Sequence, residues 1–200
     1  MIINQSILMI FGLEKSNDLF YKKELLQMSE VKGNNFCEPL DQLKGTHSLL
    51  LGQMKKISQL VRELQQGSFG EELDGKWFEL YQYVVTFFAH LKIHLYKEEH
   101  FLFPIIKQYY DDDDDNVLMV MDHEHKTIEQ KIVQFMETFE KRKTPFSPIE
   151  ALSLLSCIEF AYTTLIDHFH KEEKVLFPFA EKNLVEYEKE TLSSKMKTFK

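Results

Sequence analysis

Residues 94–104 read HLYKEEHFLFP, and residues 168–178 read HFHKEEKVLFP. The two blocks lie seventy-four positions apart and share His, Lys, Glu, Glu, Leu, Phe and Pro at matching places. Residues four apart on a helix project from one face, a turn above each other, so each block sets an imidazole beside a carboxylate. His94 pairs in this way with Glu98, and His168 with Glu172. Imidazole and carboxylate are ligands for divalent transition metals, and two such pairs on facing helices meet the requirement for a dinuclear centre inside a bundle.

The elements that must position these groups are helices. The chain has 200 residues, 44% of them hydrophobic, with only 7 Gly and 5 Pro against 17 Phe, which suits an all-α globule with few turns. Four long segments carry apolar stripes that step alternately by four and three, the spacing of helices packed side by side. The first, from about residue 39 to 66, shows Leu43, His47, Leu50, Met54, Ile57, Val61 and Leu64. The second, from about 71 to 110, shows Leu73, Trp77, Leu80, Val84, Phe87, Leu91, His94, Glu98 and Phe101. Leu118, Met121, His125, Ile128, Ile132, Phe135 and Phe139 mark the third. Leu154, Ile158, Ala161, Leu165, His168, Glu172 and Val175 mark the fourth, after a break at Thr144, Pro145 and Pro148.

One stripe position in every helix is therefore a histidine, and in the second and fourth helices the next position is a glutamate. A solvated, duplicated amphipathic helix would carry these groups on its outer face, not on the stripe. Heights agree as well. In an up-down-up-down bundle at about 1.5 Å per residue, His47 lies roughly 29 Å from the first turn and His94 roughly 35 Å from it. All four histidines converge in one layer, nearer the end that carries the termini. The layer would be costly to bury without a metal. His47 also maps onto His125, seventy-eight positions later, so two helical hairpins each supply two His and one Glu. Such a set suits a pair of Fe or Mn ions.

These residues resemble the hemerythrin-like family, in which a His on one helix is followed by HxxxE on the next, twice over. THSLLLGQM with HLYKEEHFLFP, then EHKTIEQKI with HFHKEEKVLFP, carry that pattern over residues 40–182. The resemblance implies an up-and-down four-helix bundle holding two Fe ions in an oxo- or hydroxo-bridged di-iron centre. His47, His94, His125 and His168 would be terminal ligands, and Glu98 and Glu172 bridges. Oxygen-carrying members have a fifth histidine one turn from the third helix's first; here Met121 and Glu129 occupy those positions. The four-His, two-Glu set is similar instead to the iron–sulfur-cluster repair branch. Those repair proteins carry an N-terminal module with adjacent cysteines, whereas this chain has only Cys37 beside its first helix.

Other residues read more plainly. Glu99 and Glu173 fall one place off the stripe, as flank residues or carboxylates that orient ligand imidazoles. His90 reads as a surface or core-flank residue, with gating of the site or substitution for the missing fifth histidine as the alternatives, and Glu129 stays outside the site. His100, His123 and His170 point off the ligand face. Phe87, Phe101, Phe103, Phe177 and Cys157 read as core. The aspartates of residues 111–115 lack EF-hand spacing and form a turn that leads into a helix.

Residues 1–36 are expected to be an N-terminal appendage, with a helix from Ser16 or Asn17 to Glu30 ended by Gly33, Asn34 and Asn35. The bundle is assigned to 37–182 and a polar, loosely packed helical tail to 183–200. Two cysteines without a CxxC, no basic leader and no spanning-length apolar run at the start point to a reducing cytoplasm. The net charge of −8 disfavours nucleic acid and anionic membrane as partners. The expected role is to bind or sense a small ligand (O₂, NO or peroxide) or to handle iron under oxidative or nitrosative stress. An iron donor to apo iron–sulfur proteins is the alternative, and a di-iron redox enzyme comes third.

Overall fold

In the computed structural model of the protein, residues 36–67, 71–110 and 116–199 are described. The helix expected between residues 16 and 30 and the aspartate turn lie outside them. Among the described residues there is no strand. The helices are α1 (Glu38–Gln66), α2 (Glu71–Lys97), α3 (Phe103–Ile106), α4 (Asn116–Lys141), α5 (Pro148–Lys171), α6 (Phe177–Asn183) and α7 (Glu186–Thr198). A π turn, Glu98–Leu102, joins α2 to α3, and a second, Glu172–Leu176, joins α5 to α6. A short 3₁₀ turn, Lys107–Tyr109, follows α3.

Local signals account for the boundaries. Pro39 occupies the first turn of α1, where a missing N–H costs nothing. Ser147 caps α5 in a capping box: its hydroxyl accepts from the Glu150 N–H, and the Glu150 carboxylate accepts from the Ser147 N–H. Pro148 fits the position that follows.

α1 packs on α2, α2 on α4, α4 on α5 and α5 on α1, which closes a four-helix ring. The apolar stripes of α1 and α4 are buried at every position named above. The core falls into two separate clusters. One holds Leu50, Leu91, Leu95, Ile128, Leu165 and Phe169, with the rest of the long barrel. The other holds Leu43, Leu102, Met121, Leu176 and Phe177, at the end where α1 begins and α7 packs. The buried histidines and glutamates occupy the seam between them.

Two expectations are corrected. Phe101 is only partly buried and Val175 is 50% exposed, while Leu102 and Leu176 are fully buried. The cause is the π turn in each block. Phe103 N–H bonds the Glu98 carbonyl and Phe177 N–H the Glu172 carbonyl, five residues back instead of four. The extra residue moves the inward face on by one. Each π turn ends just before Pro104 or Pro178, whose ring lacks an N–H and crowds the preceding turn, so a widened turn accommodates it.

The other correction concerns the tail. α7 is not loosely packed: Leu192 and Met196 are buried in the terminal cluster against α1. Pro148–Asn183 is long and apolar enough to cross a membrane, but 56% of its apolar window is buried inside the bundle, the pattern of a core helix.

Candidate metal centre

All six residues singled out by the stripes meet at the seam. His47, His94, Glu98, His125, His168 and Glu172 are each buried to within 1%. Their ligand atoms form two overlapping groups, each within 4.8 Å across. His47, His94, Glu98 and Glu172 make one; Glu98, His125, His168 and Glu172 make the other. Both carboxylates belong to both groups. Each Glu also lies near a His of its own helix and one from elsewhere. His94 Nε2 is 3.0 Å and His125 Nε2 3.5 Å from Glu98. His47 Nε2 is 3.1 Å and His168 Nε2 3.4 Å from Glu172.

The inward-facing atoms are short of partners. His47 Nε2, both ring nitrogens of His94, and all four carboxylate oxygens of Glu98 and Glu172 are buried without a hydrogen bond. Each such atom costs about 1–3 kcal/mol when left unmet. The outward-facing nitrogens are mostly satisfied. His47 Nδ1–H donates to Glu173 at 2.9 Å, His125 Nδ1–H to Glu99 at 2.7 Å and His168 Nδ1–H to Glu124 at 3.1 Å. A carboxylate only accepts, so these bonds keep a proton on Nδ1 and leave Nε2 as the nitrogen that faces the seam. Glu124 in turn accepts from Lys171.

Aromatic rings close the site. Phe169 stacks on His47 with centroids 3.9 Å apart, and Phe177 lies 5.6 Å from the same ring. Phe103 stacks on His125 at 5.6 Å. Each repeated block thus reaches across the bundle twice. Its second Glu bonds, and its Phe covers, the histidine of the opposite hairpin.

Charge balance within the cluster shifts the titrating groups. Burial pulls the His168 ring down, but Glu172 and Glu124 outweigh it and raise the group to about 9. Burial likewise opposes protonation of His47, and the carboxylates of Glu172, Glu173 and Glu98 hold it well above its ordinary value. Burial would raise Glu172, yet His168 and His47 keep it well below the usual range. Burial and the Glu172 charge push Glu98 up, and His94 and His47 bring it below its ordinary value.

Among the off-stripe residues, Glu99 and Glu173 prove to be the orienting carboxylates. Glu124, on α4 beside His125, joins them unforeseen. It lies off the apolar stripe, and only its place next to a ligand could have drawn attention to it. His90 is partly buried, 2.7 Å from the Gln53 amide, and is in neither ligand group. Glu129 pairs with Lys92 outside the site. His100 and His123 are exposed, whereas His170, expected at the surface with them, is partly buried. A shallow groove between α1 and α7, lined by Cys37, Pro39, Lys189, Ser193 and Lys197, has no residue of this layer in its walls.

Residues 38–180 match the hemerythrin HHE cation binding domain. The chain belongs to the hemerythrin HHE family. Within that family it is similar to the iron–sulfur cluster repair protein YtfE of Musicola paradisiaca, with 33% identity over 94 residues. The match takes in 45% of this chain and 41% of the relative, so the chain spans less than half the length of the curated protein it resembles. In this hemerythrin-like chain the buried His and Glu layer fits the family description: the donors, nitrogen and oxygen mixed, fall into two groups that could each hold an ion.

Proposed function

We propose that this chain holds two iron ions, one in each ligand group, with Glu98 and Glu172 bridging them and His47, His94, His125 and His168 as terminal ligands. One observation carries the reading. His47 Nε2, His94 Nε2 and the four oxygens of Glu98 and Glu172 face the seam without a hydrogen-bond partner, and His125 Nε2 and His168 Nε2 hydrogen-bond only each other there, at 2.9 Å. Both carboxylates are shared between two His pairs, and the opposite ring nitrogens of three histidines are anchored. Imidazole with carboxylate suits iron and also admits manganese. Bound there, the metals would supply Lewis acidity and one-electron chemistry toward a small ligand.

The residues around the layer support a small ligand. Phe103, Phe169 and Phe177 cover the imidazoles, which supports a ligand as small as O₂, NO or peroxide. The role that follows is binding or sensing such a ligand, or handling iron under oxidative or nitrosative stress, in the cytoplasm. The two cysteines, both free thiols, agree with that compartment. The likeness to a repair protein favours a second reading, in which the chain donates iron to apo iron–sulfur proteins.

Metal analysis of protein loaded with ferrous iron under argon tests the proposal. Two irons per chain, one for each ligand group, with uptake abolished in His94→Ala plus His168→Ala, is the expected result. Unchanged iron content in that variant overturns it. A reversible spectral change with O₂ or NO favours binding or sensing, and transfer of iron to an apo-cluster acceptor favours donation.

A further inference from the structure

The pseudo-two-fold that relates the hairpins fails at one pair of positions. Glu124 precedes His125 on α4 and accepts from His168 Nδ1–H. Its counterpart, seventy-eight residues earlier, is Thr46, which precedes His47 on α1. The Thr46 hydroxyl donates to the Gln42 carbonyl at 2.9 Å, inside its own helix. His94, the counterpart of His168, is left with a buried Nδ1 that has no hydrogen-bond partner. The difference is selective, because Glu173 with His47 and Glu99 with His125 keep the symmetry. One ligand group therefore has both imidazoles anchored by carboxylates, and the other only one.

From this asymmetry we infer that the two metal positions are unequal, and that the ion held by His47 and His94 is the one released first. The inference rests on the two-metal reading above. A carboxylate behind a ligand imidazole fixes the ring and makes the nitrogen a stronger donor, and removing such a partner weakens metal binding by about 10–100-fold. His168 has this support, tied down further by Lys171. His94 can turn about its Cβ–Cγ bond at less cost. The chain is thus arranged to keep one ion while giving up the other.

Iron release to excess ferrous chelator from anaerobically loaded full-length protein tests this. Two phases of equal amplitude are expected. Thr46→Glu, which restores the missing carboxylate, should slow the fast phase by about 10–100-fold and leave the slow phase in place. Glu124→Thr should speed the slow phase until the two merge, and Glu124→Gln, which keeps an accepting oxygen, should fall between. A single phase in the parent protein overturns the inference. So does a fast phase unmoved by Thr46→Glu in protein that melts and loads like the parent. If Thr46→Glu fails to fold, a slow phase unmoved in Glu124→Thr overturns the inference equally. Failure to take up two irons, read before chelator is added, sinks the two-metal reading itself and this inference with it.

Discussion

Glu173 accepts a hydrogen bond from Nδ1–H of His47, 2.9 Å away in space and 126 positions away in sequence. Phe177, from the same block, packs on the same imidazole. The pseudo-symmetric pair is Glu99 with His125, covered by Phe103. The second Glu and the Phe of each HxxxEExxLFP block therefore serve the opposite hairpin, while its His and first Glu face the seam. This division of labour explains why so much of the block is duplicated.

Glu173→Ala should weaken iron binding by about 10–100-fold, since the partner of a ligand imidazole is lost from a buried setting. Glu173 is 7% exposed and Glu99 34%, so water can replace the Glu99 carboxylate more readily. Glu99→Ala should cost less than about tenfold. Competition titration with a chelator of known affinity measures both. Equal losses would remove the distinction.

Iron affinity should rise with pH up to about 9, because the His168 ring of the metal-free chain keeps its extra proton to that point and the metal must displace it. Stability of the metal-free fold should run the other way. The His168 contribution is complete below the unfolded imidazole value of about 6.5 and is lost as pH rises through about 9. Glu172, held well below 4.5, contributes above its unfolded value and loses that contribution only as acid reaches its lowered folded value. Denaturant titrations with chelator present, from pH 2 to 10, together with proton release on binding, check both signs.

Phe169→Ala should destabilise the metal-free protein by about 3–5 kcal/mol, as expected for a large aromatic removed from a fully buried site. It also uncovers the face of His47 at the seam. Chemical denaturation gives the first number. Faster iron loss to chelator reports the second, and a variant that loses stability but releases iron at the parent rate would deny the ring its covering role.

Neither thiol should be reactive in the native chain. Burial pushes Cys37 up to about 11, with the neighbouring Glu181 adding to the shift, and burial also raises Cys157. Relative to the ordinary value of 9.0, Cys37 carries about 100-fold less thiolate near neutral pH. A thiol reagent at pH 8 should label folded protein slowly and denatured protein fast. Rapid labelling of one thiol per folded chain would contradict this.

The amino-acid order alone determined the helices and the six seam residues. A bundle writes its core as a four-three stripe, and His47, His94, Glu98, His125, His168 and Glu172 stand on it where apolar residues belong. Tertiary structure decided three things that no stripe encodes. The π turns before Pro104 and Pro178 advance the buried face by one residue, so Leu102 and Leu176 replace Phe101 and Val175 inside. That shift depends on which carbonyl each N–H finds, not on hydrophobic spacing. The burial of Leu192 and Met196 shows α7 docked on α1 and the terminal cluster, a packing that a mostly polar tail does not advertise. The orienting carboxylates come from helices far apart in sequence. Only the assembled bundle reveals that Glu124 backs His168 while Thr46 leaves His94 Nδ1 without a hydrogen bond, because a hydrogen bond between helices is a matter of distance across the fold.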